Sequence, residues 1–316
     1  MPFFICIMRT LLLCIDLYYS RFEKVFIGFY ALLSHMPKIG CSSYSFRKSF
    51  KEKKYSWENW QEIKEKFPEI QGFELLSDDC AKYLKRVDEN ELNYLKNQMK
   101  NSQLEWFAIT TDGFDFGSNH VPFWVDHESY VKGFETMTQN KIMGAEEWIE
   151  YAGSIGVHLM RIDVGQIIMN HKIPYSYALE FNVSRLIEFY KECTRMAKEY
   201  EIQVGFENHG GFASDRKVIE QLLNGVPELH LTLDTGNLPD KERYDIINQF
   251  ADRVNFIHAK TYVFDDLGNE KYIDFSRIGA IMRDHGFNGW YSIEFEGPGD
   301  EDSGVRKTIE LLKRTM

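Results

Sequence analysis

From residue 36 onward the sequence predicts a single-domain α/β protein, a (β/α)8 TIM barrel, on three observations. Eight short apolar runs recur along the chain, mostly continuous rather than alternating, as expected of parallel strands buried on both faces. Stretches with helical spacing of apolar residues lie between them. The 281 residues from Met36 to Met316 also suit eight strand–helix units, since such barrels typically need about 250 residues. An open doubly wound sheet is the rival architecture. It is disfavoured because no GxGxxG follows the first strand and no Walker loop occurs.

In chain order, the strands are expected at Lys38–Cys41, Gly72–Leu76, Leu104–Ile109, Val157–Ile162, Ile202–Phe206, Leu229–Leu233, Val254–Ile257 and Trp290–Phe295. Helical patterns fill the gaps at Trp57–Phe67, Asn90–Met99, Glu146–Ala152, Leu186–Ala197, Lys217–Leu223, Ile246–Phe250, Phe275–Met282 and Val305–Leu312. The 186–197 stretch is the clearest, because Leu186, Ile187, Phe189, Tyr190, Cys193, Met196 and Ala197 fall on one helical stripe. The longest loops follow the third and seventh strands. The first, Thr110–His127, carries Phe114, Phe116, Phe123 and Trp124, which suit either a lid whose aromatic faces stack on a ligand or a contact with a neighbouring subunit in a homo-oligomer.

Residues 1–35 are far more apolar than the rest. Arg9, Asp16, Arg21, Glu23 and Lys24 interrupt every long run, so no span of about 20 apolar residues forms. Arg9 lies inside the apolar stretch and no A-x-A-like cleavage site follows, unlike a signal peptide. Met36 opens a clean start, MPKIGCSS. The prefix reads as an upstream reading-frame extension, with a weak membrane signal or a helix packed on the domain as the other readings.

The composition narrows the function. With 37 basic and 48 acidic side chains the net charge is −11, which argues against a general nucleic-acid binder. Five cysteines with no CxxC pair point away from a disulfide scaffold or a thiolate zinc site. The expectation is a cytoplasmic enzyme whose barrel touches no membrane and acts on small ligands.

In such a barrel, chemistry sits at the C-terminal ends of the strands. The last four predicted strands end in GFENHGG, LTLDTGN, NFIHAK and YSIEFEG, delivering Glu207, Asp234, His258 and Glu294 to that end, 27, 24 and 36 residues apart. Any one of these alone reads as a rim cap or a salt-bridge partner. Four in register from consecutive strands read as a metal site, because three carboxylates do not crowd a buried mouth without a cation. The oxygen-rich set suits Mn²⁺ or Mg²⁺ first, Co²⁺ or Zn²⁺ second.

At these residues the chain resembles the sugar phosphate isomerase/epimerase family of xylose isomerase-like barrels. The segments are GFELL (72–76), GFENHGG (205–211), LTLDTGN (231–237), IHAK (257–260) and SIEFEGPGD (292–300). The resemblance implies Glu207, Asp234, His258 and Glu294 as metal ligands, Glu207 and Glu294 as the proton-transfer pair, and Glu74 near the substrate. Catalysis would then be proton transfer through a metal-stabilised enediolate. The same first step also serves a keto-sugar or cyclitol dehydratase or lyase. Departures from the family are Asn237, where a histidine often stands, and Phe264–Asp265, where some ketose epimerases carry an arginine. The multi-histidine cluster of the DNA-repair endonucleases of this fold is missing too, which with the acidic surface weakens a nuclease reading. A noncatalytic sugar-binding barrel would not need both glutamates.

Four further residues are substrate-binding candidates: Glu74, His209, Asn237 and Lys260. His209 and Lys260 each lie two residues beyond a predicted ligand and share its strand face. For Lys260 the alternative is capping a rim carboxylate. Arg161 and Asp163 read as a mutual ion pair, and Glu296 as lying just beyond the last strand.

Overall fold

The computed structural model describes residues 37–56, 59–76, 93, 96–97, 99–111, 127–165 and 175–316. Its strands are β1 (Lys38–Ser42), β2 (Gly72–Leu76), β3 (Glu105–Thr111), β4 (Leu159–Ile162), β5 (Gln203–Glu207), β6 (His230–Asp234), β7 (Val254–Thr261) and β8 (Trp290–Phe295). Each pairs in parallel with the next, and β8 pairs with β1, closing the barrel. The predicted (β/α)8 architecture is therefore the observed one. The helices are α1 (Arg47–Lys51), α2 (Trp60–Lys66), α3 (His127–Ile155), α4 (Tyr175–Ala197), α5 (Gly210–Ala213), α6 (Arg216–Gly225), α7 (Arg243–Phe250), α8 (Phe275–Asp284) and α9 (Glu301–Thr315).

Local chemistry explains where several helices start. Asp215 accepts from the backbone N–H of Lys217 and Val218 ahead of α6, Asp274 from Arg277 ahead of α8, and Asp300 from Ser303 ahead of α9. Each carboxylate satisfies donors that the first helical turn leaves open. Several elements outrun the sequence reading, among them the helix Tyr175–Ala197, predicted only from Leu186. β7 continues past Ile257 to Thr261, which puts Lys260 inside the strand. α3 starts at His127 rather than Glu146, because Gly133, Thr136, Thr138 and Gly144 dilute its helical signal.

The barrel interior is layered. At its N-terminal end Phe107, Phe256 and Trp290 form an apolar plug, with Phe107 stacked on Trp290 at 4.3 Å between ring centroids. Glycines make room for it: a Cβ on Gly40 would lie 2.4 Å from Phe107 Cε1, and one on Gly72 3.0 Å from Trp290 Cη2. Two residues further along the same strands the interior turns polar, from Phe256 to His258 on β7 and from Trp290 to Ser292 on β8. The larger core lies outside the strands, between them and the helices.

Several expectations fall outside the described residues: the 1–35 extension, most of the Asn90–Met99 helix, and Phe114, Phe116, Phe123 and Trp124 of the loop after β3. Among the described residues no helix is long and apolar enough to cross a membrane.

Candidate active site

Glu207, Asp234, His258 and Glu294 end up together at the C-terminal mouth of the barrel. Each is buried, and one ligand atom from each lies within 4.8 Å of the others. The register explains the convergence. Asp234 pairs with His258 across β6–β7, and Lys260 with Glu294 across β7–β8. Side chains two apart on one strand share the inward face, so β7 aims Phe256, His258 and Lys260 inward in succession.

Two side chains pin the strand tips. Asn208 donates through Nδ2 to the Asp234 carbonyl at 2.9 Å and accepts from the Asp234 N–H at 2.8 Å. It thereby continues the β5–β6 ladder beyond its last backbone pair. Thr235 donates its hydroxyl to the His258 carbonyl at 3.1 Å and accepts from the Lys260 N–H at 3.0 Å. Asp234 Oδ1 accepts from the N–H groups of Gly236 at 2.6 Å and Asn237 at 3.0 Å. That fixes its rotamer and leaves Oδ2 facing the cluster.

The charges are unbalanced. Lys260 Nζ lies 3.1 Å from Asp234, 2.7 Å from Glu294 and 2.7 Å from Glu296. Arg161 contacts Glu207 and is 3.0 Å from Asp163. His258 Nδ1 lies 2.8 Å from Glu207 Oε1 and 3.6 Å from Glu294 Oε2. Burial, augmented by the Glu207 and Glu294 charges and only partly offset by Lys260, pushes the Asp234 carboxyl well above the usual carboxylate range. For Glu207 burial works the same way, but Arg161 and His258 outweigh it and hold that carboxyl well below its ordinary value. Burial would lower the His258 imidazolium, yet Glu74, Glu294 and Glu207 around it raise it well above its ordinary value.

A divalent cation fits this donor set. Asp234 Oδ2 and Glu294 Oε2 are buried and accept no hydrogen bond of normal geometry; only ion-pair contacts reach them. Two such oxygens beside an imidazole and a further carboxylate are hard-to-borderline ligands of the kind Mn²⁺, Mg²⁺, Co²⁺ and Zn²⁺ take.

The remaining predicted residues are placed as follows. His209 is half-exposed at the mouth, its Nδ1 2.9 Å from Asp163. The bond to Asp163 raises the His209 imidazole despite some burial. Asn237 has a buried Nδ2 with no hydrogen-bond partner, so it keeps a donor in hand. Lys260 makes the rim-carboxylate contact to Glu296 and also reaches into the cluster. Glu74 is fully enclosed beside His258, bonded to its Nε2.

Sequence reasoning missed the reach of Arg161. Its ion pair with Asp163 is present, but the same guanidinium is buried against Glu207 and joins the site. The signal was available in the two-residue alternation along β4, where Leu159, Arg161 and Asp163 share one face. Asn208 and Thr235 were also missed, because a residue next to a candidate ligand carries no spacing signal of its own.

Comparison with known proteins agrees with this architecture. A sugar phosphate isomerase/epimerase from Parabacteroides distasonis superposes with a TM-score of 0.61 at 15% identity, covering 88% of this chain and 98% of that one. A 3-keto-D-glucoside 4-epimerase from E. coli gives 0.62 at 14% identity, covering 88% and 99%. An IolI protein with a bound zinc atom gives 0.60 at 15% identity, covering 88% and 96%. These likenesses are of fold. In sequence, the C-glycoside deglycosidase alpha subunit of Arthrobacter globiformis is 35% identical over 79 residues, a match spanning 25% of this chain and 21% of that protein. Residues 69–315 match the family model of the xylose isomerase-like TIM barrel, and the chain belongs to that family.

Proposed function

We propose that the protein is a divalent-metal-dependent isomerase or epimerase of a small sugar, sugar phosphate or keto-sugar, moving a proton at a carbon next to a carbonyl. The observation that carries this reading is the buried quartet Glu207, Asp234, His258 and Glu294, with ligand atoms within 4.8 Å of one another. Its fold neighbours include a 3-keto-D-glucoside 4-epimerase, which supports a keto-sugar substrate.

The four side chains would hold the ion, which supplies positive charge to the oxygens of a sugar as its carbon acid is ionised. Glu207 and Glu294, from β5 and β8, take and return the proton on the two sides of that carbon. Arg161 keeps Glu207 ionised and oriented by its direct contact. Asp234 is locked by the Gly236 and Asn237 N–H groups and serves as ligand only. In this reading His209 and the spare Asn237 donor bind sugar hydroxyls, and Lys260 answers an oxygen of the substrate. A panel of keto-sugars incubated in D₂O with Mn²⁺ tests the scheme. Wild-type protein should exchange carbon-bound hydrogen with solvent, and Glu207→Gln and Glu294→Gln should each lose at least about 100-fold of that exchange. Retained exchange in both variants would refute it.

The deglycosidase match supports a second reading, elimination of a substituent from a keto-glycoside after the same proton abstraction. Release of an aglycone or of water in the same incubations separates it from isomerisation.

A further inference from the structure

Glu74 is a carboxylate with no route to solvent. It is 0% exposed, although it sits on β2 at the height of the cluster. From there it reaches across the barrel to β7, where its two oxygens lie 2.9 and 3.0 Å from His258 Nε2. Thr110 Oγ1 of β3 donates to its Oε1, and Ser292 Oγ of β8 donates to its Oε2 at 2.7 Å. Three donors from three strands occupy the carboxylate, so no face is left for a substrate. The other imidazole nitrogen, Nδ1, points the opposite way, 2.8 Å from Glu207 Oε1 and 3.6 Å from Glu294 Oε2.

We infer that Glu74 is a positioning residue: by accepting the Nε2–H of His258 it fixes the ring orientation and tautomer that aim the Nδ1 lone pair at the Glu207–Asp234–Glu294 cluster. The inference rests on the metal-dependent reading above and assigns Glu74 a role apart from the substrate. An imidazole bound to a metal through one nitrogen gives up its other N–H, and a carboxylate acceptor both selects the tautomer and makes the ring a better donor to the ion. An unanchored ring would flip or present the protonated nitrogen. Thr110 and Ser292 form the next layer, because they stop Glu74 from rotating away.

The test is metal affinity, not turnover. Mn²⁺ binding is followed by electron paramagnetic resonance of the free ion in wild type, Glu74→Ala, Glu74→Gln and Thr232→Val. The tautomer of His258 in the Zn²⁺-loaded proteins is read by ¹⁵N-histidine NMR. Losing such a partner typically weakens metal binding about 10- to 100-fold, and that is the loss expected for Glu74→Ala. Glu74→Gln retains an acceptor for the Nε2–H and should recover most of the affinity, with His258 still protonated at Nε2. Thr232→Val breaks a different buried bond in the barrel interior, the one to Asn255; it should lower the melting temperature and leave affinity unchanged. Thr110→Val and Ser292→Ala, which release Glu74 without deleting it, should show intermediate losses and stand in if Glu74→Ala does not fold. Unchanged affinity in Glu74→Ala beside a binding wild type, or an equal loss in Thr232→Val, overturns the positioning role while leaving the metal reading intact. A wild type that binds none of Mn²⁺, Mg²⁺, Co²⁺ or Zn²⁺ overturns the metal reading, and this inference with it.

Discussion

At the scale of single residues, the site depends on side chains that imitate backbone. The last backbone pair of β5 and β6 joins Glu207 to Thr232, and beyond it the two tips would be free to splay. Asn208 prevents this by offering one donor and one acceptor to Asp234, in the manner of another ladder residue. Both bonds are buried, and water cannot replace them. Asn208→Ala leaves a backbone N–H and a carbonyl unpaired, each worth about 1–3 kcal/mol. We expect a loss of about 2–4 kcal/mol in chemical denaturation, and a proton-exchange rate that falls even under conditions where the variant is fully folded. Asn208→Asp keeps the acceptor but sets a buried carboxylate oxygen against the Asp234 carbonyl, so it should be no more stable than Asn208→Ala at pH 7. An Asn208→Ala variant as stable as wild type would show that strand pairing alone sets the tips.

At the scale of elements, α9 begins with three consecutive acids that do different work. Asp300 caps the helix. Glu301 accepts the Lys48 and Ser49 N–H groups and the Ser49 hydroxyl, holding α1 against α9. Asp302 gathers the Tyr55 hydroxyl at 2.7 Å, Lys54 at 2.7 Å and also Lys66. Burial alone would raise the Asp302 carboxyl, but the bonds from Lys54, Lys66 and Tyr55 win and hold it below its ordinary value. A carboxyl depressed in the folded state contributes stability that is fully present above its unfolded value, about 3.9, and lost as pH falls through the folded value. Asp302→Asn should therefore cost about 1–2 kcal/mol at pH 7, a modest figure because both lysines remain largely in water. The difference from wild type should shrink steadily below about pH 4. Denaturation curves for the two proteins at pH 7, 4 and 2.5 check the sign: a gap that widens on acidification would mean the carboxyl is raised, not lowered.

At the scale of the whole molecule, what was legible in the sequence follows from what each layer of the barrel demands. Strands buried on both faces must read as apolar runs, so all eight were visible, and Glu207, Asp234, His258 and Glu294 stood out as polar breaks at their ends. Arg161 and Glu74 were harder to read, because their partners lie 46 and 184 residues away and only barrel closure brings them together. That closure also concentrates charge. Glu74, Glu207, Asp234 and Glu294 share one interior with Arg161, His258 and Lys260 as their cations, and burial, with the Glu207 and Glu294 charges added to it, raises Asp234. The unfolded chain has no such cluster, because its members come from β2 and from β4 to β8. A divalent ion should thus bind only the folded barrel and stabilise it by mass action, by about 2.7 kcal/mol at a concentration 100 times its dissociation constant. For a chain of this size that corresponds to a rise in melting temperature of about 4–5 °C, reversed by a chelator and not reproduced by a monovalent salt at equal ionic strength. Glu74→Ala, binding more weakly, should need about 10- to 100-fold more ion for the same rise. A melting temperature unmoved by every divalent ion would mean that Lys260, Arg161 and His258 already neutralise the interior, and that the quartet is held together as a network of ion pairs.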